Sequence, residues 1–191
     1  MILKLETERL ILRLYTYDDY ENWYTQHDCR LPSQYQYDDG RPANISSYTE
    51  VCFNEQVRRW QELAKADELY QLGIFRKEDG VHIGKIELYR ILRMDYQWAM
   101  MGYSIHNQFW KNGYATESVK AAVQAAFTDM GFHRIELHIN VDNEPSIRLA
   151  EKTGFQYEST RKQFLFEHGR WSDFLVYYQN RDDDSSYQGD S

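Results

Sequence analysis

The segment Trp110-Lys111-Asn112-Gly113-Tyr114-Ala115-Thr116 carries the clearest chemical signal in the chain. Small residues just before an apolar-periodic run leave backbone N–H groups at a helix N-terminus open to a ligand. Those donors, with the helix dipole behind them, suit a pyrophosphate. An ordinary strand-to-helix turn has the same composition, so the segment alone does not decide between the two. Glu87 stands between Ile86 and Leu88 in a strand-like run, which sends its carboxylate to the face opposite theirs. It could face a cleft while they face the core. The six histidines are scattered, with no HExxH pattern, and Cys29 and Cys52 stand in no metal-ligand or disulfide spacing. No metal is expected, and His138 reads as a satisfied strand residue or one lining a cleft.

These residues need elements to hold them. Residues 8–15 predict a strand, and Thr16 before the acidic Asp18 and Asp19 predicts the start of a helix. Residues 30–48 contain Pro32, Gly40 and Pro42 among polar residues and tyrosines, which predicts a loop whose tyrosines either wall a pocket or simply pack. Val51, Phe53, Val57, Trp60, Leu63 and Ala64 recur at helical spacing between Ser47 and Ala66. Residues 69–76 and 81–90 flank Glu78-Asp79-Gly80 as a hairpin, and 97–106 continue as a third antiparallel strand. Ala115, Val119, Ala122, Val123, Ala126, Phe127 and Met130 share one face of a helix ending at Gly131. Residues 134–141 alternate as a strand, so its neighbour across the sheet can be parallel. Asn143 is placed to cap a helix with Pro145 in its first turn and Gly154 at its end. Two strands, 155–167 and 170–179, meet at His168-Gly169. The predicted order is β-α-α-β-β-β-α-β-α-β-β, a mixed sheet with helices on its faces, followed by a polar, disordered tail over 181–191.

With 30 acidic against 22 basic side chains and a formal net charge of −8, the chain offers no cationic stripe to track phosphates, so nucleic acid is a poor partner. The negative field favours solubility and, in principle, the approach of cationic amines. Charges at Lys4, Glu6, Glu8 and Arg9 interrupt any secretory-type apolar run, and no stretch reaches the ~18 apolar residues of a membrane span. A reduced, cytoplasmic protein without membrane contact is expected.

The 110–116 loop resembles the acyl-CoA pyrophosphate motif of GNAT acetyltransferases, Gln/Arg-x-x-Gly-x-Gly/Ala, with Trp110 in the first place. Gly113-Tyr-Ala-Thr-Glu117 is similar to the Rim-type branch, which acetylates ribosomal-protein N-termini. Asn143-x-x-Ser146 followed by Gly154-Phe155 resembles that branch's second block. With ETERLILR at the start and Gly169-Arg170-Trp171 near the end, the likeness spans nearly all of residues 5–179. It implies an α/β (α+β) GNAT fold over residues 1–180, with two parallel strands splaying apart around Tyr103–His106 and Leu137–Asn140. Acetyl-CoA would lie in that gap as cosubstrate. Its pantetheine would meet the strand edge at Ser104, Ile105 and His106, and its pyrophosphate the amides of Lys111, Asn112, Gly113, Tyr114, Ala115 and Thr116. Asn143 matches the family asparagine near the pantetheine, a role compatible with capping.

The resemblance implies direct attack by an amine on the thioester in a ternary complex; Cys29 and Cys52 match no family position, and both read as structural. Ser146 matches a serine near the thioester sulfur, able to protonate the leaving thiolate, and Glu158 matches an acidic residue serving as base; Glu87 is the other carboxylate candidate. Met100 departs from the branch, which often carries an acid before the pair represented by Gly102-Tyr103. A protein N-terminus is the leading acceptor. A polyamine or aminoglycoside, and a non-catalytic acyl-CoA-binding module, are the alternatives. Homodimers are frequent among similar proteins. An α-amino group, with a pKa of about 7.7–8.0, gives up its proton more readily than a lysine near 10.4, so an N-terminal acceptor asks less of the base.

Overall fold

The computed structural model describes residues 3–167 and 169–182. It forms one eight-stranded mixed sheet in the order β1-β2-β3-β4-β5-β6-β8-β7. The strands are β1 (Lys4–Glu6), β2 (Leu10–Leu14), β3 (Leu69–Arg76), β4 (His82–Leu92), β5 (Trp98–Ile105), β6 (Arg134–Asn140), β7 (Gln156–Glu167) and β8 (Arg170–Asn180). The helices are α1 (Tyr20–Asp28), α2 (Glu50–Lys65), α3 (Tyr114–Thr128) and α4 (Glu144–Lys152). The predicted order holds apart from β1, whose Lys4 and Glu6 are exposed and ion-paired to each other. Three residues with two charges leave no apolar alternation to read. Residues 183–191 of the tail expected over 181–191, and the His168 half of the final turn, lie outside the described residues.

Alternation along the strands divides the apolar residues between two faces. On one face Leu10, Leu12, Leu72, Ile74, Ile86, Leu88, Met101, Ile135, Leu137 and Ile139 pack with Val119, Ala122, Ala126 and Phe127 of α3 and Ala150 of α4. On the other, Tyr15 and Phe75 pack with Phe53 and Val57 of α2, and with Tyr20, Trp23 and Trp60. Each fully buried Leu, Ile or Phe contributes ~1.5–3 kcal/mol relative to exposure, so both helix layers are fastened to the sheet.

Local chemistry sets the boundaries. Thr16 and Asp19 form a capping box ahead of α1, and Arg13 grips Asp19 with two hydrogen bonds of 2.7 Å. Thr49 accepts from the Cys52 N–H at 3.3 Å, so α2 starts after Thr49 rather than at Ser47. Asn143 accepts from the Ser146 N–H at 3.4 Å and caps α4.

The feature that positions the site is the short pairing of β5 with β6. These strands are parallel only at Trp98–Arg134, Ala99–Ile135 and Met100–Glu136. Beyond that point β6 stays paired with β8 through Asn140–Phe174, and β5 stays paired with β4 through Gly84–Ile105. The β5 edge from Met101 to Ile105 therefore faces a V-shaped opening, where the resemblance implied one.

Candidate functional site

The mouth of the opening is formed by the loop after β5. Gly113 sits at φ +80° as the N-cap of α3, a left-handed conformation that glycine adopts at little cost. Lys111 is also left-handed, at φ +65°. Among the described residues, no backbone or side-chain acceptor takes the N–H of Lys111, Asn112, Gly113, Tyr114, Ala115 or Thr116. A helix start with open, convergent donors is the arrangement that holds an anion. The loop is braced from behind. Asn112 Nδ2 donates to the carbonyls of Phe109 and Trp110 at 3.0 Å, and Arg9 donates to the Asn112 carbonyl at 3.0 Å. Glu117 in the first turn of α3 accepts from Thr7 Oγ1 at 2.6 Å, from the Arg9 N–H at 2.9 Å and from Arg9 Nε at 2.8 Å. The residues around the anion-type loop fit a pyrophosphate.

The expectation for Ser104, Ile105 and His106 divides. The His106 N–H is taken by the Ile83 carbonyl at 2.8 Å, so that donor is turned toward β4. By the alternation of an antiparallel ladder the backbone of Ser104 points the same way, and the groups facing the opening belong to Tyr103 and Ile105. The Ile105 carbonyl accepts from Trp110 Nε1 at 2.7 Å, which leaves its N–H at the edge. The Ser104 hydroxyl is buried without a hydrogen-bond partner.

Across the mouth, Ser146 is half-buried in the first turn of α4, with its Oγ 2.8 Å from the Tyr103 hydroxyl. Burial raises Tyr103 to about 12, so the phenol stays protonated at neutral pH. The two hydroxyls form one proton-bearing pair between β5 and α4. The sequence singled out Ser146 but gave Tyr103 no role, because the meeting of β5 with α4 is a tertiary fact.

The two named carboxylates are placed differently. Glu87 is ion-paired with Lys85 at 2.7 Å and 19% exposed. It leans over Gly102, where an added Cβ would come within 3.2 Å of its Oε2. This is on β5, two residues beyond the last parallel pair. Glu158 is 41% exposed and paired at 2.8 Å with Arg134, the first residue of β6, where β5 and β6 are still joined. Its strand β7 is separated from the opening by β8 and β6. The structure thus brings Glu87, and not Glu158, toward the opening. On the far bank Glu136 is buried and bonded to Arg134 at 2.8 Å, His138 at 2.9 Å and Arg161 at 3.4 Å. Burial would raise its carboxyl, but the bonds from His138 and Arg134 and the Arg161 charge hold it below the usual carboxylate range. His138 is therefore a satisfied strand residue.

On the same face of the sheet as Glu87 lies a cavity of about 490 Å³, lined by Trp23, Tyr48, Phe53 and Trp60 with Arg30, Asp39 and Lys85. Cys52 also lines it, and both cysteines are exposed and free rather than packed into a core. The loop over residues 31–48 forms part of this wall and also straps the opening. Asn107 fastens its base, bonding the Leu31 N–H at 2.8 Å, the Leu31 carbonyl at 2.9 Å and Asp38 at 3.0 Å. Tyr35 packs edge-on against Trp110 with ring centroids 5.8 Å apart, and its hydroxyl lies 3.5 Å from Asn143 Oδ1. Tyr37 bonds Asp142. Of the loop tyrosines, Tyr48 walls the cavity while Tyr35 and Tyr37 bridge the two banks of the opening. Among the described residues, no helix is long and apolar enough to cross a membrane.

Residues 9–156 match the model of the acetyltransferase (GNAT) domain. The uncharacterised N-acetyltransferase YoaA of Bacillus subtilis (strain 168) is 30% identical over 173 residues, covering 91% of this chain and 94% of that protein. The [ribosomal protein uS5]-alanine N-acetyltransferase of Escherichia coli (strain K12) is 25% identical over 115 residues, 60% of this chain and 59% of that enzyme. Among solved structures, the ribosomal-protein-S5-alanine acetyltransferase of Vibrio fischeri superposes with a TM-score of 0.75 at 20% identity, covering 95% of this chain and 98% of that one.

Proposed function

The chain belongs to the GNAT acetyltransferase family, and from that premise we propose that its acceptor is the α-amino group at a protein N-terminus, acetylated from acetyl-CoA. Acetyl transfer by a GNAT enzyme is the established part; the acceptor rests on the cavity beside Glu87. That cavity has aromatic walls, two cationic side chains in Arg30 and Lys85, and one carboxylate in Asp39. A polyamine or aminoglycoside site needs several carboxylates to offset the cost of desolvating multiple ammonium groups, whereas a peptide end presents one amine and an apolar chain. The likeness to the uS5-alanine enzyme supports the same reading. The net charge of −8 favours the cationic alternative only as a long-range field, which salt screens within ~10 Å.

The residues divide the work as follows. The amides of Lys111–Thr116 hold the pyrophosphate, the Tyr103–Ile105 edge and Asn143 orient the pantetheine, and acetyl-CoA, when bound, supplies the activated acyl group. Glu87 takes the proton of the incoming amine, and the Tyr103–Ser146 hydroxyl pair delivers a proton to the departing thiolate. The N–C bond forms as the C–S bond breaks, and the two proton transfers balance.

The test is release of CoA thiol from acetyl-CoA with ribosomal-protein N-terminal peptides, polyamines and aminoglycosides as acceptors. Turnover confined to peptides is the expected result. Turnover confined to the polycations would overturn the acceptor assignment, and binding of acetyl-CoA without turnover on any amine would favour a binding module.

A further inference from the structure

We propose that His27, His82 and His106 form a site for a single transition-metal ion of the zinc type, held between α1, β4 and the residue that follows β5. Scattered in sequence, the three meet in the fold: one ring nitrogen from each lies within 4.8 Å of the other two. His82 and His106 are 1% and 3% exposed. The rings pack at centroid distances of 4.7 Å for His27–His106 and 4.9 Å for His82–His106.

Packing alone does not account for the choice of histidine. Nδ1 of His82 and Nδ1 of His106 are both buried without a hydrogen-bond partner. Each such orphan carries an uncompensated desolvation cost, which phenylalanine at the same place would not carry. In His27 and His82 one ring nitrogen is committed to an outer partner. His27 Nδ1 donates to the Trp23 carbonyl at 2.7 Å, and His82 Nε2 lies 2.8 Å from the Tyr15 hydroxyl. One nitrogen fixed by an outer partner and the other free and converging is how metal-bound imidazoles are oriented. Zinc–nitrogen bonds of about 2.1 Å in a tetrahedral site place ligand nitrogens about 3.4 Å apart, so ring movements of about an ångström close the site. Burial, with the charge of Arg30, keeps the imidazoles in the neutral form that a metal requires.

Of the three ligands His27 lines the cavity, so a fourth ligand would come from that side. Arg30 also lines it, and its positive charge acts on all three rings. It opposes a dication, partly offset by Asp39 at 3.9 Å. This gives the proposal a signed consequence: removing the guanidinium tightens metal binding.

The experiment is titration of chelator-stripped full-length protein with Co²⁺, read by its visible ligand-field absorption, followed by competition with Zn²⁺. Wild type is expected to saturate at one ion per chain, with a zinc-dependent rise in Tm. His27 lies at the end of α1 and is only half-buried, so H27A should retain the wild-type circular dichroism when metal-free. It should bind Co²⁺ at least tenfold more weakly and lose the zinc-dependent Tm rise, while R30Q should bind several-fold more tightly. Absence of a one-to-one cobalt spectrum in wild type, or equal affinity in wild type and H27A, would overturn the proposal. None of these readouts depends on acetyl transfer.

Discussion

At the scale of single residues, the assignment turns on the hydroxyl pair and on which carboxylate takes the proton. Replacing Tyr103 by Phe removes the 2.8 Å partner of Ser146. It should lower kcat on the acceptor peptide by about 10–100-fold with little change in KM for acetyl-CoA, because a proton donor to the leaving group acts mainly in the transition state. Ser146→Ala should fall in the same range, and the double variant should lose little more, since the two act as a unit. Glu87→Gln should reduce kcat by about 10²-fold. Glu158→Gln breaks a 41%-exposed pair with Arg134 and should leave kcat within about threefold of wild type; steady-state kinetics on the same peptide separates the two. The sequence allowed Glu87 to be placed by strand alternation and Ser146 by its match to the family's Asn-x-x-Ser pattern. It could not show that Glu158 reaches Arg134 across 24 positions, because that pair depends on the order β6-β8-β7. Nor could it show that three distant histidines converge, since no local spacing marks a site built from α1, β4 and the end of β5.

At the scale of elements, the anion-type loop depends on one backbone angle and one brace. Gly113→Ala places a side chain at φ +80°, at a cost of roughly 1–2 kcal/mol. It should raise the Kd for CoA about tenfold or more, measured by calorimetry, because the open N–H groups of Lys111–Thr116 must reorient. Glu117→Gln weakens the hold on Arg9, whose Nε and guanidinium both reach the Glu117 carboxylate. Loosening of CoA binding with a modest fall in Tm is expected; unchanged affinity would show that the loop stands without the N-terminal segment. Helix α3 was legible because Ala, Val and Phe repeat on one face before Gly131, and α4 because Asn143, Pro145 and Gly154 punctuate it. The β1 strand was not, since Lys4 and Glu6 are held by pairing to Arg13 and Ile11 rather than by apolar alternation. The division of the β5 edge was likewise invisible, because which backbone groups face the opening is set by the register with β4.

At the scale of the whole molecule, acid should unfold the protein through its buried carboxylates. Burial would raise the Asp19 carboxyl, but the hydrogen bonds from Arg13 and Thr16 bring it below the usual 3.8, and Glu136 lies below its usual 4.5. A carboxyl with a depressed folded pKa adds stability that is complete above its unfolded value and is lost as pH falls through the folded one. Tm should therefore drop from about pH 4.5 downward. Asp19→Asn should flatten part of that decline while costing about 3 kcal/mol near neutrality by leaving Arg13 unpaired; a pH series of thermal melts reads both. The mixed sheet was foreseeable from the order of the elements and its parallel opening from the family resemblance, but the path of residues 31–48 was not. That segment lacks periodicity, and its course is set by Asn107, which fastens Leu31 and Asp38 from the β5 bank of the opening. The same segment carries Tyr35 and Tyr37 across the acyl-donor side and supplies Asp39, Gly40, Pro42, Ser47 and Tyr48 to the cavity wall. With donor and acceptor placed as we propose, two ligands share one strap, and whatever energy one of them spends moving it, the other inherits. Such linkage is reciprocal. The order in which donor and acceptor load, and the pattern of inhibition by each product, should be decided by Tyr35 and Tyr37 rather than by any residue that touches the transferred acetyl group.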